Sequence, residues 1–175
     1  MFDASAFAGP WPFADGRNES LSELAAWLRA AGVEAALVSP ASAVLALEPM
    51  AANRHLLDEI VRRQAEAVRV VAAPIINPSL PRWREHLAEC VEQAGNVVRA
   101  IKIVPNYHDY PLVDDAVRAL AQVLAERGLT LCVQMRMADE RAHHPLVKVP
   151  GVAAAAVVTL AAALPDLPIL VCGAY

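Results

Sequence analysis

Short apolar runs rich in β-branched residues alternate along this chain with longer stretches whose apolar residues recur at helical spacing, each separated by Gly, Pro or Asn. That alternation predicts βαβ units and a parallel sheet. Phe2–Phe7 reads as a first strand, and the prolines of Gly9-Pro10-Trp11-Pro12-Phe13, which lack an N–H, break regular structure after it. Ser20-x-x-Glu23 is a capping box and Gly32 suits a left-handed C-terminal position, so a helix is predicted over 21–31. Val33–Ser39 reads as strand two, 49–66 as a helix with Leu56, Leu57, Ile60 and Val61 on one face, and Val68–Ile76 as strand three.

The same reading continues to the end of the chain. Pro81 opens a helix that closes near Gly95, and Val98–Val104 is a continuous strand bounded by Pro105. Asp114 or Asp115 caps a helix that runs to Arg127, Gly128 stops it, and Leu129–Met135 is strand five. A charged, histidine-bearing loop over 136–150 precedes an alanine-rich helix to Leu164 and a sixth strand, Ile169–Cys172. A repeat of about 30 residues without linker composition predicts a TIM-barrel-like (β/α)8 fold with six β/α units present, and the absence of G-x-G-x-x-G after any strand argues against a doubly wound nucleotide-binding sheet. The chain stops directly after an apolar strand, whose open edge calls for a continuation of the chain or for another copy to cover it.

Composition narrows the function classes. With 57% hydrophobic and 19% charged residues in 175, one domain with a substantial core is expected. A net charge of -4 without basic runs supplies no footprint for nucleic acid or an anionic membrane, which leaves small molecules or proteins as partners. The apolar stretch at 152–164 is too short to span a bilayer. The start Met1-Phe2-Asp3 lacks the charge and apolar run of a secretory signal, and Cys90, Cys132 and Cys172 read as reduced, buried thiols, so a cytoplasmic location is expected.

In a barrel the chemistry sits where strands end, which restricts the search. Lys102, inside Ile101-Lys102-Ile103-Val104, carries an ammonium that is costly to bury; it is either a functional amine or an edge lysine that reaches solvent. His108, in Asn106-Tyr107-His108-Asp109-Tyr110, either transfers protons near neutral pH or is a loop residue bonded to Asp109. Arg136, two residues after Gln134, either binds a substrate carboxylate bidentately or pairs with Asp139 or Glu140. Glu140, His143 and His144 are close enough to share a cation, but two adjacent histidines with no second motif make a poor ligand set, and no metal site is expected. Ser5 has no histidine nearby in sequence to activate it and no G-x-S-x-G elbow is present, so the sequence does not support serine hydrolase chemistry. Trp27 and Trp83, at helical positions, read as packing residues, and Trp11, between two prolines, as a pocket-lining one.

These segments resemble the amidohydrolase-related (amidohydrolase 2) family of the metal-dependent hydrolase superfamily. Phe2-Asp3-Ala4-Ser5-Ala6-Phe7-Ala8-Gly9 is similar to its first-strand D-x-H-x-H-x-G motif, and Trp11-Pro12-Phe13 to the loop that follows in some members. Ile101–His108 resembles the strand-four signature, and Leu131–Gln134 with 139–150 the strand-five region of one branch. The resemblance implies a hydrolase or decarboxylase of small carboxylate-bearing substrates, with Lys102 and His108 catalytic and with Arg136, Asn106, Trp11, Gln134, His143 and His144 in contact with a small organic acid. It also implies a divalent metal, usually zinc, but Ser5 and Phe7 stand where the first-strand histidines belong, Gln134 replaces the strand-five histidine and Gly173 the strand-six one. The acidic residue of strand eight lies beyond Tyr175, as in a C-terminally truncated member, and no cofactor is expected from the residues present. The alternative is a catalytically degenerate barrel that serves as a small-molecule or protein binding module.

Overall fold

The computed structural model describes residues 1–13, 20–63, 68–137 and 149–174. It is an α/β fold of parallel strands, β1 (Phe2–Ala8), β2 (Ala35–Pro40), β3 (Arg69–Ala72), β4 (Ala100–Ile103), β5 (Thr130–Gln134) and β6 (Ile169–Cys172). Between them run α1 (Leu21–Ala30), α2 (Met50–Arg62), α3 (Trp83–Ala94), α4 (Asp115–Glu126) and α5 (Ala154–Ala163). Among the described residues this makes five strand–helix pairs and a sixth strand, not six complete units.

Strands pair in sequence order as β1-β2-β3 and β4-β5-β6, all parallel. Two isolated parallel bridges, Ala72 with Val98 and Ile75 with Lys102, cross the seam between the two sheets. The predicted strand three is cut short here: regular pairing ends at Ala72 because Pro74 has no N–H to donate, and the chain rejoins β4 only at Ile75. Helix boundaries follow local chemistry. Ser20 accepts from the Glu23 backbone while the Glu23 carboxylate takes the Ser20 N–H, and Asp114 rather than Asp115 caps α4. Helix α3 begins at Trp83, two residues after Pro81.

The sheet buries both faces. On one side Leu28, Leu57, Leu87, Leu120 and Leu124 of the helices pack on Ala36, Val38, Ile101, Ile103, Leu131 and Val133. Burial of each leucine contributes about 1.5–3 kcal/mol. On the other side Leu37, Ala73, Ala100, Cys132 and Cys172 form a smaller cluster. A third, beyond the strand ends, gathers Ala43, Val44, Ile75 and Val104 under Phe7, Trp11 and Tyr107. Trp83 is buried, with the Arg84 guanidinium 4.2 Å from its ring centre, but Trp27 is 57% exposed and does not pack in the core, because it lies on the outer face of α1. Among the described residues no helix is long and apolar enough to cross a membrane.

Candidate functional site

β1 carries an irregularity at the point where chemistry gathers. Its register against β2 shifts between Asp3 and Ala6, so Ala4 and Ser5 together oppose Leu37. The Ser5 N–H, displaced from the ladder, donates instead to the Asp3 carboxylate at 2.9 Å. A bulge of this kind bends a strand and re-aims one side chain. Here it brings the Ser5 hydroxyl to 3.0 Å from Nζ of Lys102 on β4.

Lys102 is fully buried. Its backbone closes the seam, the N–H donating to Pro74 and the carbonyl accepting from Ile76. Among the described residues its amine meets three groups: the Ser5 hydroxyl, the Gln134 side-chain carbonyl at 3.4 Å, and the Phe7 ring, whose centre is 4.0 Å away. None is a carboxylate. Burial therefore pushes the Lys102 pKa down from its ordinary value, against smaller opposing contributions from Cys172, Cys132 and Asp3.

β5 and β6 complete the floor. Lys102 is in register with Cys132, and Gln134 with Cys172. Cys132, Cys172 and Cys90 are free and buried. A hydrogen bond between the Cys132 and Cys172 thiols raises the pKa of the first and lowers that of the second; Lys102 and the Ser5 hydroxyl also favour the Cys172 thiolate. The Gln134 amide nitrogen donates to the Arg136 carbonyl at 2.7 Å, which holds its oxygen towards Lys102. At Gly173, with φ at +66°, a Cβ would collide with the Arg136 carbonyl and lie 2.8 Å from the Gln134 amide nitrogen.

The other predicted residues divide into three groups. Trp11, half-buried, meets Phe13 and Tyr107 edge-on at 5.5 and 6.4 Å between ring centres, which builds an aromatic wall next to Phe7. His108 is buried, and its Nε2 lies 3.2 Å from the Ala43 carbonyl, not beside Asp109; burial lowers its pKa, so the ring is neutral and Nε2–H donates. Among the described residues its Nδ1 is buried without a hydrogen-bond partner. Asn106 donates to the Pro150 carbonyl, which ties the end of β4 to the segment before α5, and Arg136 is half-buried just past β5. His143 and His144 lie outside the described residues, as do Asp139 and Glu140.

Sequence reasoning sets Ser5 aside as a nucleophile because it seeks a histidine nearby, whereas the group beside it is a lysine 97 positions away; the signal on offer was Asp3-Ala4-Ser5, an acceptor two residues before a serine. Asn53 was missed. This buried side chain donates to the Ile75 carbonyl and accepts from the Ile75 N–H, at 2.8 and 2.9 Å, and so holds the segment that bridges to Lys102.

The metal that the resemblance implies does not fit these residues. The positions that would supply imidazoles hold Ser5, Phe7 and Gln134, and the Lys102 amine lies against all three. The fourth, Gly173, has no room for any side chain. A hydroxyl, an amide and an amine around an aromatic ring are a weak donor set for zinc.

The chain covers 98% of its own length on 2,6-dihydroxybenzoate decarboxylase from Rhizobium, with a TM-score of 0.67 and 16% identity. On an amidohydrolase from Mycobacterium avium subspecies paratuberculosis it covers 90%, with a TM-score of 0.58 and 16% identity. The likeness is one of fold, shared with both proteins. The two proteins are of the kind that the resemblance read from Phe2–Gly9, Ile101–His108 and the β5 region named, and at 16% identity they share its fold. The chain spans 66% of the decarboxylase and 49% of the second protein. No protein-family model matches it, and no curated protein matches it in sequence.

Proposed function

We propose that the six strands are an arc of a (β/α)8 barrel and that this barrel runs a metal-independent reaction, hydrolysis in preference to decarboxylation, on a small carboxylate-bearing substrate. One observation carries the reading: Lys102 is a fully buried amine that contacts a hydroxyl, an amide carbonyl and an aromatic ring but no carboxylate, at the strand ends of a fold shared with an amidohydrolase. An amine whose pKa burial has lowered is a better-placed general base than an exposed lysine and can take the proton of an attacking nucleophile. Arg136, directly after β5, offers the guanidinium for the carboxylate, and Trp11 with Tyr107 covers the apolar part of the substrate. The decarboxylase likeness supports the substrate class, and the altered ligand positions support a chemistry without metal.

The test is binding and turnover measured separately on a panel of small aromatic and aliphatic acids and their esters and amides. Arg136→Ala should weaken binding of the acids about tenfold. Lys102→Met should abolish hydrolysis. Unchanged affinity in both Arg136→Ala and Lys102→Ala rejects the pocket assignment. The loss of the ligand positions at Ser5, Phe7 and Gln134 also favours the binding-module alternative, and acids that bind while no ester or amide is turned over at any pH would select it.

A further inference from the structure

We propose that Ser5 is the nucleophile of this site, forming an acyl-enzyme with Lys102 as its general base. The inference rests on the hydrolase reading above and adds to it the group that attacks. Three observations converge on Ser5. The register shift in β1 serves no hydrogen-bonding purpose of the sheet, yet it aims this hydroxyl at Lys102. The Asp3 carboxylate takes the Ser5 N–H, so the bulged backbone is held without a ladder partner. Ser5 is only partly buried while Lys102 is fully buried, so the nucleophile is reachable from outside while its base stays dry. Serine with a lysine base is a known alternative to serine with histidine, and it needs the lysine desolvated and free of carboxylates. Lys102 is fully buried, and none of its direct contacts is a carboxylate.

In the first step Oγ of Ser5 bonds to the acyl carbon of an ester or amide as its proton passes to Nζ of Lys102. The tetrahedral adduct collapses, the bond to the alcohol or amine breaks, and that leaving group takes the proton from Nζ. Water then adds to the Ser5 ester, giving one proton to Lys102. Collapse of this second adduct releases the carboxylic acid and returns the proton from Nζ to Oγ. Gln134 keeps the amine on the Ser5 side throughout, by its carbonyl at 3.4 Å.

The experiment is a reaction of the 175-residue chain with p-nitrophenyl acetate, followed by acid quench and peptide mapping by mass spectrometry. The expected result is a burst of p-nitrophenolate with one acetyl ester on the peptide that contains Ser5. Ser5→Ala should remove the label and the burst, and Lys102→Met should slow acetylation about a hundredfold. Ser5→Cys, closely matched in volume, should carry the acetyl as a hydroxylamine-labile thioester, which keeps the test decisive if the alanine variant folds poorly. Acetyl found on the Lys102 amine with Ser5 unmodified overturns the proposal. So does Ser5→Ala that hydrolyses at the parent rate while Lys102→Met does not; water is then the nucleophile and the hydrolase reading survives. Folded parent protein, checked by circular dichroism, that neither hydrolyses nor is labelled removes both.

Discussion

The hydroxyl of Ser5 and the amine of Lys102 come from strands 97 residues apart and meet at 3.0 Å in the interior of the sheet. Neither side chain has a stabilising reason to be there. Ser5 sits on a distorted strand, and Lys102 occupies a position where an apolar residue would pack at lower cost. Local departures from what stability alone would select concentrate at functional sites. The cost of this pairing to the fold is measurable.

Lys102 makes a prediction with a definite sign. Because burial lowers its folded pKa below the ordinary 10.5, the unfolded chain binds more protons than the folded one between the two values. Stability then rises with pH through that window and is lowest below the folded pKa, where the buried amine must be charged. Urea unfolding of the parent chain at a series of alkaline pH values should show this rise, and Lys102→Met should flatten it while raising stability near neutrality. An identical pH slope in the two proteins would mean that the amine is not desolvated.

His108 adds a second, separate pH effect. Its folded pKa is also lowered, from 6.5, mainly by burial, so stability should fall as pH drops below 6.5 towards the folded value. His108→Gln can keep a donor to the Ala43 carbonyl without titrating. It should remove the acid-side loss and leave neutral stability within about 1 kcal/mol of the parent. Hydrolysis measured on the same variant reports whether Nδ1, buried without a hydrogen-bond partner among the described residues, also moves protons: a fall in turnover at unchanged stability would assign it that role.

Asn53 links helix α2 to the site through Ile75. Its side chain satisfies both backbone groups of Ile75, and Ile75 bridges to Lys102. Asn53→Ala leaves a buried N–H and a buried carbonyl unpaired, at a cost of about 2–4 kcal/mol. Chemical denaturation checks the size. Asn53→Asp, which keeps the acceptor for the Ile75 N–H but loses the donor, should fall between the alanine variant and the parent; equal loss in both would place the effect in packing instead.

These residues show where sequence reading reaches and where it stops. The capping box at Ser20 and Glu23, the Asp114 cap and strand Ile169–Cys172 were legible because each depends on chemistry within a few positions of itself. The overlong third strand came from counting apolar residues across Pro74, and Trp27 was assigned to the core because helical spacing alone does not say which face turns inward. Lys102 stood out as a charge in an apolar run, but its partners did not. Ser5, Gln134 and Phe7 become its neighbours only when β1, β4 and β5 come together, and the bulge that turns Ser5 inward leaves no periodic signal. Gln134 was visible as a substituted ligand position, while the reason that position 173 is glycine lay in the carbonyl of Arg136.

Gly173 offers the sharpest check on the arrangement of the floor. A side chain there faces two penalties. Its φ of +66° costs a non-glycine residue about 1–3 kcal/mol. The added Cβ also strikes the Arg136 carbonyl and approaches the Gln134 amide nitrogen to 2.8 Å, so the bond that orients Gln134 must give way. Gly173→Ala should therefore lower stability and, beyond that, release the Gln134 oxygen from Lys102. The second effect is read in folded protein as a change in the pH profile of ester hydrolysis, because the amine loses one of its acceptors. Gly173→His, which restores the residue type found at this position in the resemblance, should fold worse than Gly173→Ala and gain no zinc affinity by calorimetry. Zinc binding by a folded Gly173→His chain would mean that the space beside Gln134 can open, and the exclusion of a metal from this site would fail with it.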